Sequence, residues 1–407
     1  MSQAWIAILV VAAVVIGHGG LVVAIYNRLG ATGWPHRIEK RITTVLLVLA
    51  IAIPVLAFIQ LGGSDVFRGG VTADDLWRMP IGWIGYGMVC LAAWPLLGIP
   101  WLLARPILGI GHLKADRQIE VQRPHRRDSG AIALTRKSAW LARLPGNQIL
   151  ELAVERIELP VVGLPPRLDG YRIAHLSDLH FTGHVAPAWT AAAVHQLNDW
   201  VPDLVALTGD IIDSPECVDW LADALGHAQA PDGCYFILGN HDLRDVCPRR
   251  VDTTIRELGW TSVGGKVLAK HLRGGGETGG AMGVDALIIG NEAPWFPAPD
   301  LAPLAAGNEA GEAAPFRLLL SHGPDQFGWA RCRGVRLMLA GHTHGGQGRL
   351  PLLGPILSPS WHGSRYAAGD FYSDPTTMHV SRGLSGTRLL RINCRPELSL
   401  LTLRVGD

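Results

Sequence analysis

Gly341-His342-Thr343-His344-Gly345-Gly346-Gln347 follows directly on the apolar run Leu337–Ala340. A short apolar run that stops at a glycine reads as a buried strand and the turn that ends it. The two histidines stand at alternate positions, which on an extended backbone project to one side. Four further stretches share this grammar. The runs 172–176, 204–207, 234–238 and 317–320 read as strands, and each leads into polar residues: Ser177-Asp178-Leu179-His180, Gly209-Asp210, Gly239-Asn240-His241-Asp242 and Ser321-His322. Helical patterns occupy 187–200, 218–225 and 249–258. Short strands alternating with helices predict a layered α/β domain, and open α/β sheets bind ligands beyond the carboxyl ends of their strands. Five distant stretches would deliver Asp, Asn and His to one edge.

Those residue types suit metal chemistry. Two divalent ions roughly 3.5 to 4 Å apart need a bridging carboxylate to offset their repulsion, with neutral imidazoles and carboxamide oxygens to complete each shell. Asp210 is the natural bridge; Asp178, His180 and His344 would complete one site, and Asn240, His322 and His342 the other. Any one Gly-Asp or Gly-Asn is an ordinary turn. Seven candidate ligands at five strand ends are a different matter, and manganese, iron or zinc would suit the mixed donors. His241, beside a ligand, is placed to donate a proton to a leaving oxygen or to bind a phosphoryl group.

In this order, Asp-x-His, Gly-Asp-x-x-Asp, Gly-Asn-His-Asp, a lone His and Gly-His-Thr-His resemble the calcineurin-like metallophosphoesterase superfamily, over 149–407. Leu350-Pro351 after the GHTHGGQ stretch, and the later Ser381-Arg382-Gly383 and Arg395-Pro396-Glu397, resemble its membrane-anchored bacterial branch. The resemblance implies a four-layer sandwich, two central β-sheets flanked by helices, and a metal-dependent phosphoric ester hydrolase. It also implies that Asp213 holds the His241 imidazole. Ser214 departs from part of the superfamily, where an arginine follows this aspartate; either the arginine-rich tail replaces it or nothing does.

The first quarter of the chain is of another kind. Crossing a bilayer takes roughly 20 apolar residues, and 4–26, 43–61 and 81–104 qualify, preceding a basic linker over 105–148. The first lacks the positive n-region of a signal peptide and reads as a retained anchor. Arg28, Arg37, Lys40 and Arg41 follow the first span, against Arg68 and Arg78 after the second, while Arg105, Lys114, Arg117 and Arg123 follow the third. Because basic loops stay inside, the C-terminal domain is expected on the cytoplasmic side of the cell membrane. His18 lies within the first span without an acidic partner, which favours an anchor over a relay.

Composition removes other readings. The chain holds 36 Lys and Arg against 35 Asp and Glu, with a sequence pI near 7.8, so no global field calls for nucleic acid. Six scattered cysteines without a CxxC pair disfavour a disulfide framework or a zinc knuckle. The expected substrate is a phosphate ester or pyrophosphate; anchoring points to a lipid-linked one, such as a phospholipid headgroup or a nucleotide-linked acyl sugar. The competing classes are a non-catalytic membrane scaffold that retains the fold and a small transporter with an accessory domain. Oligomeric state is not legible. His175, His195, Trp260, Trp295 and Trp329 read as packing or surface residues, His184 as a possible substrate contact, and 274–283 and 293–315 as Gly-, Ala- and Pro-rich loops.

Overall fold

The computed structural model describes residues 3–62, 72–103, 112–123, 132–244, 247–275, 283–299 and 314–406. Arg68, Arg105, the basic run 125–127 and most of the two biased loops lie outside the described residues. The chain divides into two compact units, Met1–Gly30 with Trp34–Ile110, and Ala31–Gly33 with Gly111–Asp407.

The first unit is helical: α1 (Gln3–Leu29), α2 (His36–Gln60), the short α3 (Ala73–Trp77), α4 (Ile81–Ala93) and α5 (Ile99–Leu103). Three helical stretches, Trp5–Leu29, His36–Gln60 and Ile81–Leu103, are long and apolar enough to cross a membrane. The second helix begins seven residues before the expected span, at His36 directly after Pro35, because hydropathy marks the apolar stretch and not the helix start. Between α4 and α5 the turns widen into a π-helix over Trp94–Gly98, where Pro95 has no N–H to give to the helix ladder. His18 is spoken for. Its Nδ1 lies 2.6 Å from the Tyr86 hydroxyl on α4, and its Nε2 lies 3.2 Å from the Ala50 carbonyl on α2. A buried histidine that ties three helices together is an internal fastening, which is how the lone intramembrane imidazole is accommodated.

The second unit is built on two sheets. The strands are β1 (Asp116–Gln122), β2 (Leu152–Val162), β3 (Arg172–Leu176), β4 (Leu204–Thr208), β5 (Cys234–Ile237), β6 (Thr261–Ser262), β7 (Val267–Leu272), β8 (Val284–Asn291), β9 (Phe316–Ser321), β10 (Leu337–Ala340), a small hairpin of β11 (Arg349–Leu350) and β12 (Gly354–Pro355), β13 (Gly369–Ser373), β14 (Thr376–Val380) and β15 (Glu397–Gly406). One sheet runs β1-β2-β15-β3-β4-β5-β6 and the other β13-β14-β10-β9-β8-β7. The helices are α6 (Arg136–Ala142), α7 (Pro187–Trp200), α8 (Leu221–Leu225), α9 (Pro248–Glu257) and α10 (Phe327–Cys332). Part of the stretch expected as a linker is thus an edge strand paired antiparallel with β2, and the expected helix over 218–225 is a 3₁₀ turn from Pro215 to Trp220 that passes into α8.

Side-chain alternation explains the layers. Leu318 and Leu320 of β9 and Leu337 and Leu339 of β10 face Ile173, Leu204 and Leu401 across the space between the sheets. Their neighbours Leu319, Met338 and Ala340 point outward, onto Phe327 and Ala330 of α10. On the far side of the first sheet, Leu176, Val205, Leu207 and Phe236 pack on Trp189 and Leu197 of α7 and on Val251 and Ile255 of α9. Helix, sheet, sheet, helix is the four-layer sandwich expected. The parallel strands β3, β4 and β5 end together, as do β9 and β10, and so bring their loops to one edge.

The helical unit makes its own test. A Cβ on Gly17 of α1 would collide with the Cys90 carbonyl of α4, while Gly19 has nothing within 4 Å. Gly17→Leu should lower the thermal midpoint of the detergent-solubilised protein, by the roughly 1–3 kcal/mol typical of overpacking; Gly19→Leu should leave it unchanged. Equal midpoints for the two variants would refute the close α1–α4 contact.

Candidate metal centre

Three of the five strand ends are strained in the same way. Asp178, His180, Asp210, His342 and His344 have φ of 52°, 45°, 53°, 68° and 51°, the left-handed region that residues other than glycine seldom occupy. Alternate spacing on an extended backbone is therefore not what aims the paired side chains. Each turns inward at a left-handed residue, and strain of this kind persists only where surrounding bonds over-determine it. Those bonds are present: the Asp178 amide donates to the Gly209 carbonyl at 3.0 Å, the His180 amide to the Asp210 carbonyl at 3.0 Å, and the Gly341 amide to the His322 carbonyl at 2.8 Å. Gly239 and Gly341 are required by close approach, since a Cβ there would run into Asp210 and Ser177 respectively.

The structure brings Asp178, His180, Asp210 and His344 into one group, and Asp210, His322 and His342 into a second, so that Asp210 belongs to both. Asn240 joins the second through its Oδ1, 3.0 Å from His322 Nε2. The donors crowd one another: His180 Nε2 and His344 Nε2 are 3.1 Å apart, His342 Nδ1 and His322 Nε2 3.1 Å, and His322 Nε2 and Asp210 Oδ1 3.2 Å. Two imidazole nitrogens facing one another with lone pairs repel unless a proton or a cation lies between them. Second partners fix the tautomers of two rings. His322 Nδ1 must carry its proton, because it donates to the Thr208 carbonyl at 2.7 Å, and His180 Nδ1 donates to Asp213 at 2.7 Å. Each leaves an Nε2 lone pair for a cation, the usual arrangement behind a metal ligand.

Charge tells the same story. Asp210 is buried, and its Oδ2 has no hydrogen-bond partner; a dry carboxylate oxygen left bare calls for a cation. Burial opposes protonation of His322, yet the carboxylates of Asp210 and Asp178 outweigh it and push the imidazolium up to about 9. The donor set therefore fits two divalent ions: acidic oxygens, imidazoles of which His322 and His180 present Nε2 once a cation replaces the proton there, and one shared carboxylate whose second oxygen is uncommitted.

Asp213 does more than expected. It meets the Nδ1 of His241 as well as that of His180, and the two rings stand edge to face with centroids 4.6 Å apart. One carboxylate thus orients a candidate ligand and the candidate acid together. Arg244, three residues past His241, brings its Nη1 to 3.1 Å from His241 Nδ1. The tail arginines are engaged elsewhere: Arg391 donates to the carbonyls of His344, Arg382 and Ser385, Arg382 pairs with Glu155 and Glu397, and Arg395 pairs with Glu151. Trp295, expected to serve packing alone, stands against the second group, its ring centroid 4.8 Å from that of His342 and 5.2 Å from that of His322. Trp260 is buried under the helices, and Trp329 lies beneath Arg333. His184 is bound through Nδ1 to Thr135 Oγ1 at 3.1 Å, and His175 is buried against Thr208.

Two comparisons with known proteins agree on the family. A family model for the calcineurin-like phosphoesterase matches residues 171–346. The metallophosphoesterase YkuE of Bacillus subtilis (strain 168) is 31% identical over 245 residues, which cover 59% of this chain and 82% of that protein. The phosphodiesterase YaeI of Escherichia coli (strain K12) is 30% identical over 239 residues, 57% of this chain and 82% of that one. The UDP-2,3-diacylglucosamine pyrophosphatase LpxG of Chlamydia trachomatis is 23% identical over 280 residues, 58% and 84% respectively. The chain belongs to the calcineurin-like phosphoesterase family and is a metal-dependent phosphoric ester hydrolase.

Asp242, outside the candidate ligand set, has a structural role. Its carboxylate accepts the amides of Ile211 at 3.0 Å, Ile212 at 2.9 Å and Gly239 at 2.8 Å, so it fastens the Asp210 turn to the Asn240 turn. Burial and the nearby Asp210 push its pKa up to about 7. Asp242→Ala leaves these buried donors bare at about 1–3 kcal/mol each, so thermal unfolding should show a loss of at least about 2 kcal/mol. Unchanged stability would mean that the turns hold without it.

Proposed function

We propose that the protein is a membrane-anchored phosphoesterase that holds two divalent ions at this edge and hydrolyses a phosphate ester or pyrophosphate, lipid-linked in its natural substrate. Asp178, His180, Asp210 and His344 hold one ion, and Asp210, Asn240, His322 and His342 the other. The observation that carries the reading is the pair of donor groups sharing Asp210, with its bare buried Oδ2. When bound, the ions supply water ionised near neutral pH and offset the charge that develops on the phosphate oxygens; manganese, iron or zinc would serve.

The chain's own residues do the rest. Asp213 keeps the His241 ring oriented, with His241 Nε2 4.0 Å from Asp210 Oδ2 at the margin of the donor cluster. Burial lowers the His241 pKa, opposed in part by the carboxylates of Asp210 and Asp213. His241 is the acid that delivers a proton to the leaving oxygen. Arg244, not a tail arginine, steadies the phosphoryl oxygens in place of the arginine that Ser214 displaces. The pyrophosphatase named among the relatives acts on an acylated sugar nucleotide, and the membrane-length helices of this chain favour a substrate that also carries acyl chains. Residues 1–104 are the anchor, and the catalytic domain, whose sheet takes its edge strand β1 from the stretch 105–148, faces the cytoplasm.

The first test is turnover of aryl phosphomonoesters and phosphodiesters by the manganese-loaded protein. Asp210→Asn should lower it by about a hundredfold or more, the scale of removing a preorganised electrostatic stabiliser, and chelation should abolish it. His241→Ala should cost about 10²–10⁴-fold with an alkyl leaving group and less with 4-nitrophenolate, which needs no proton. Equal losses with both leaving groups would remove His241 from the acid's role.

Orientation has a separate test. Cys247 and Cys332 are exposed, so a membrane-impermeant maleimide should label them in permeabilised cells but not in intact ones. Labelling of intact cells would place the domain outside.

A further inference from the structure

Beyond Gln347 the chain forms the β11–β12 hairpin, with Arg349 paired to Pro355 and Leu350 to Gly354. Its tip is apolar and points into water. Leu352 is 84% exposed and Leu350 47%, with Leu353 and Leu357 also exposed. Leu352 sits at φ 66° inside a tight turn closed by the Leu353 amide on the Pro351 carbonyl at 2.8 Å. Turn tips of this backbone usually take glycine or asparagine, and a leucine gains nothing there from folding in water. The hairpin leans on a second exposed apolar segment, because the Arg349 amide donates to the Ile392 carbonyl at 3.0 Å and both Leu390 and Ile392 face solvent.

This surface is fastened to the metal centre. Arg349 Nε donates to the Gly345 carbonyl at 2.9 Å, and a Cβ on Gly346 would collide with Pro355. Gly345 and Gly346 directly follow His344. Residues 343–369 and 375–396 contain six arginines and neither Asp nor Glu, although Arg382 and Arg395 pair with glutamates from elsewhere in the chain and Arg391 is buried on carbonyls. Of these, Arg388 is exposed next to Leu390.

We propose that the β11–β12 hairpin, with Leu390 and Ile392, is a membrane-docking surface that enters the headgroup layer of an anionic lipid bilayer. Two observations commit it to lipid. Exposed leucines with the exposed Arg388 among them match an anionic interface, and the same chain carries three helices of membrane-crossing length, which keep a bilayer within reach at high effective concentration. The inference rests on the reading above and deepens it: a phosphate carried by a lipid headgroup would meet the donors beside His344 without leaving its bilayer.

The test uses the full chain in nanodiscs of phosphatidylcholine and phosphatidylglycerol, with a nitroxide on Leu352→Cys in a Cys247→Ser/Cys332→Ser background. A second protein carries the label on Asp219→Cys, at an exposed site away from the hairpin. At 352 the label should collide with oxygen and be shielded from an aqueous nickel chelate; at 219 nickel should reach it freely. Equal nickel access at both sites overturns the proposal. So does shielding at 352 from both reagents with dipolar broadening, which would assign the patch to a second copy of the chain. In parallel, methyl and hexadecyl 4-nitrophenyl phosphodiesters are compared in the same nanodiscs. Wild type should prefer the hexadecyl ester, and Leu352→Asp should lose that preference while turning over the methyl ester as before. Hydrolysis of neither ester would strike the phosphoesterase reading alone; hydrolysis without a chain-length preference, or a preference that survives Leu352→Asp, would strike the docking surface alone.

Discussion

The constraint on which this catalytic unit depends is the burial of Asp210. A carboxylate removed from water is costly unless its charge is answered, and here burial is outweighed by His322, His241 and His180, which hold its pKa well below the ordinary range. Its Oδ1 takes the His241 amide at 2.8 Å, while Oδ2 takes nothing from the protein. The rest of the edge is arranged around that asymmetry. Five residues accept a left-handed backbone so that their side chains can crowd the same small volume, at about 1–3 kcal/mol of strain for each such residue. Cations bound there would offset part of that cost, which would couple metal binding to folding in this unit.

What holds the crowding in place lies behind it. Glycine at 383 lets the chain pass directly against Asp178. The adjoining Arg382 is locked between Glu155 of β2 and Glu397 of β15. Burial of Glu397 is outweighed by Arg382 and His379, which bring its pKa down to about 2. Arg117 of β1 closes the network on Glu155 and Asp370. Paired buried charges of this kind stabilise little in themselves, but breaking one pair strands another charge. Through them the last strand of the chain and the edge strand preceding the catalytic core both bear on the position of Asp178.

The candidate donors are legible in sequence because such a site gathers Asp, Asn and His at strand ends marked by glycine, against an apolar background. The sandwich is legible through the resemblance, and the strands around 172–176 and 337–340 through their apolar runs. Backbone conformation is not written in the same way: Asp and His tolerate the left-handed region, so nothing in Asp178-Leu179-His180 distinguishes an extended stretch from two inward turns. Arg391 leaves no pattern at all, since an arginine buried on three carbonyls looks like any other arginine. The place of β15 between β2 and β3 is equally silent, because its partners are remote in sequence. Asp242 stands inside a visible motif, yet its partners Ile211 and Ile212 come within reach only once β4 and β5 are side by side.

A pair of metal ions grips any phosphate, so selectivity has to come from what surrounds them. On one side Trp295 presents a ring edge and face to His322 and His342; on another, the hairpin that follows His344 turns leucines outward. Neither feature is needed to hold a metal. Confining an enzyme to a membrane raises its effective concentration only toward substrates confined there too. A water-soluble ester gains nothing from the membrane-length helices, whereas a lipid-linked one gains an encounter rate that the donors alone cannot supply. The membrane-length helices, the apolar hairpin and the exposed Arg388 beside it are together what the proposed lipid-linked phosphate would use.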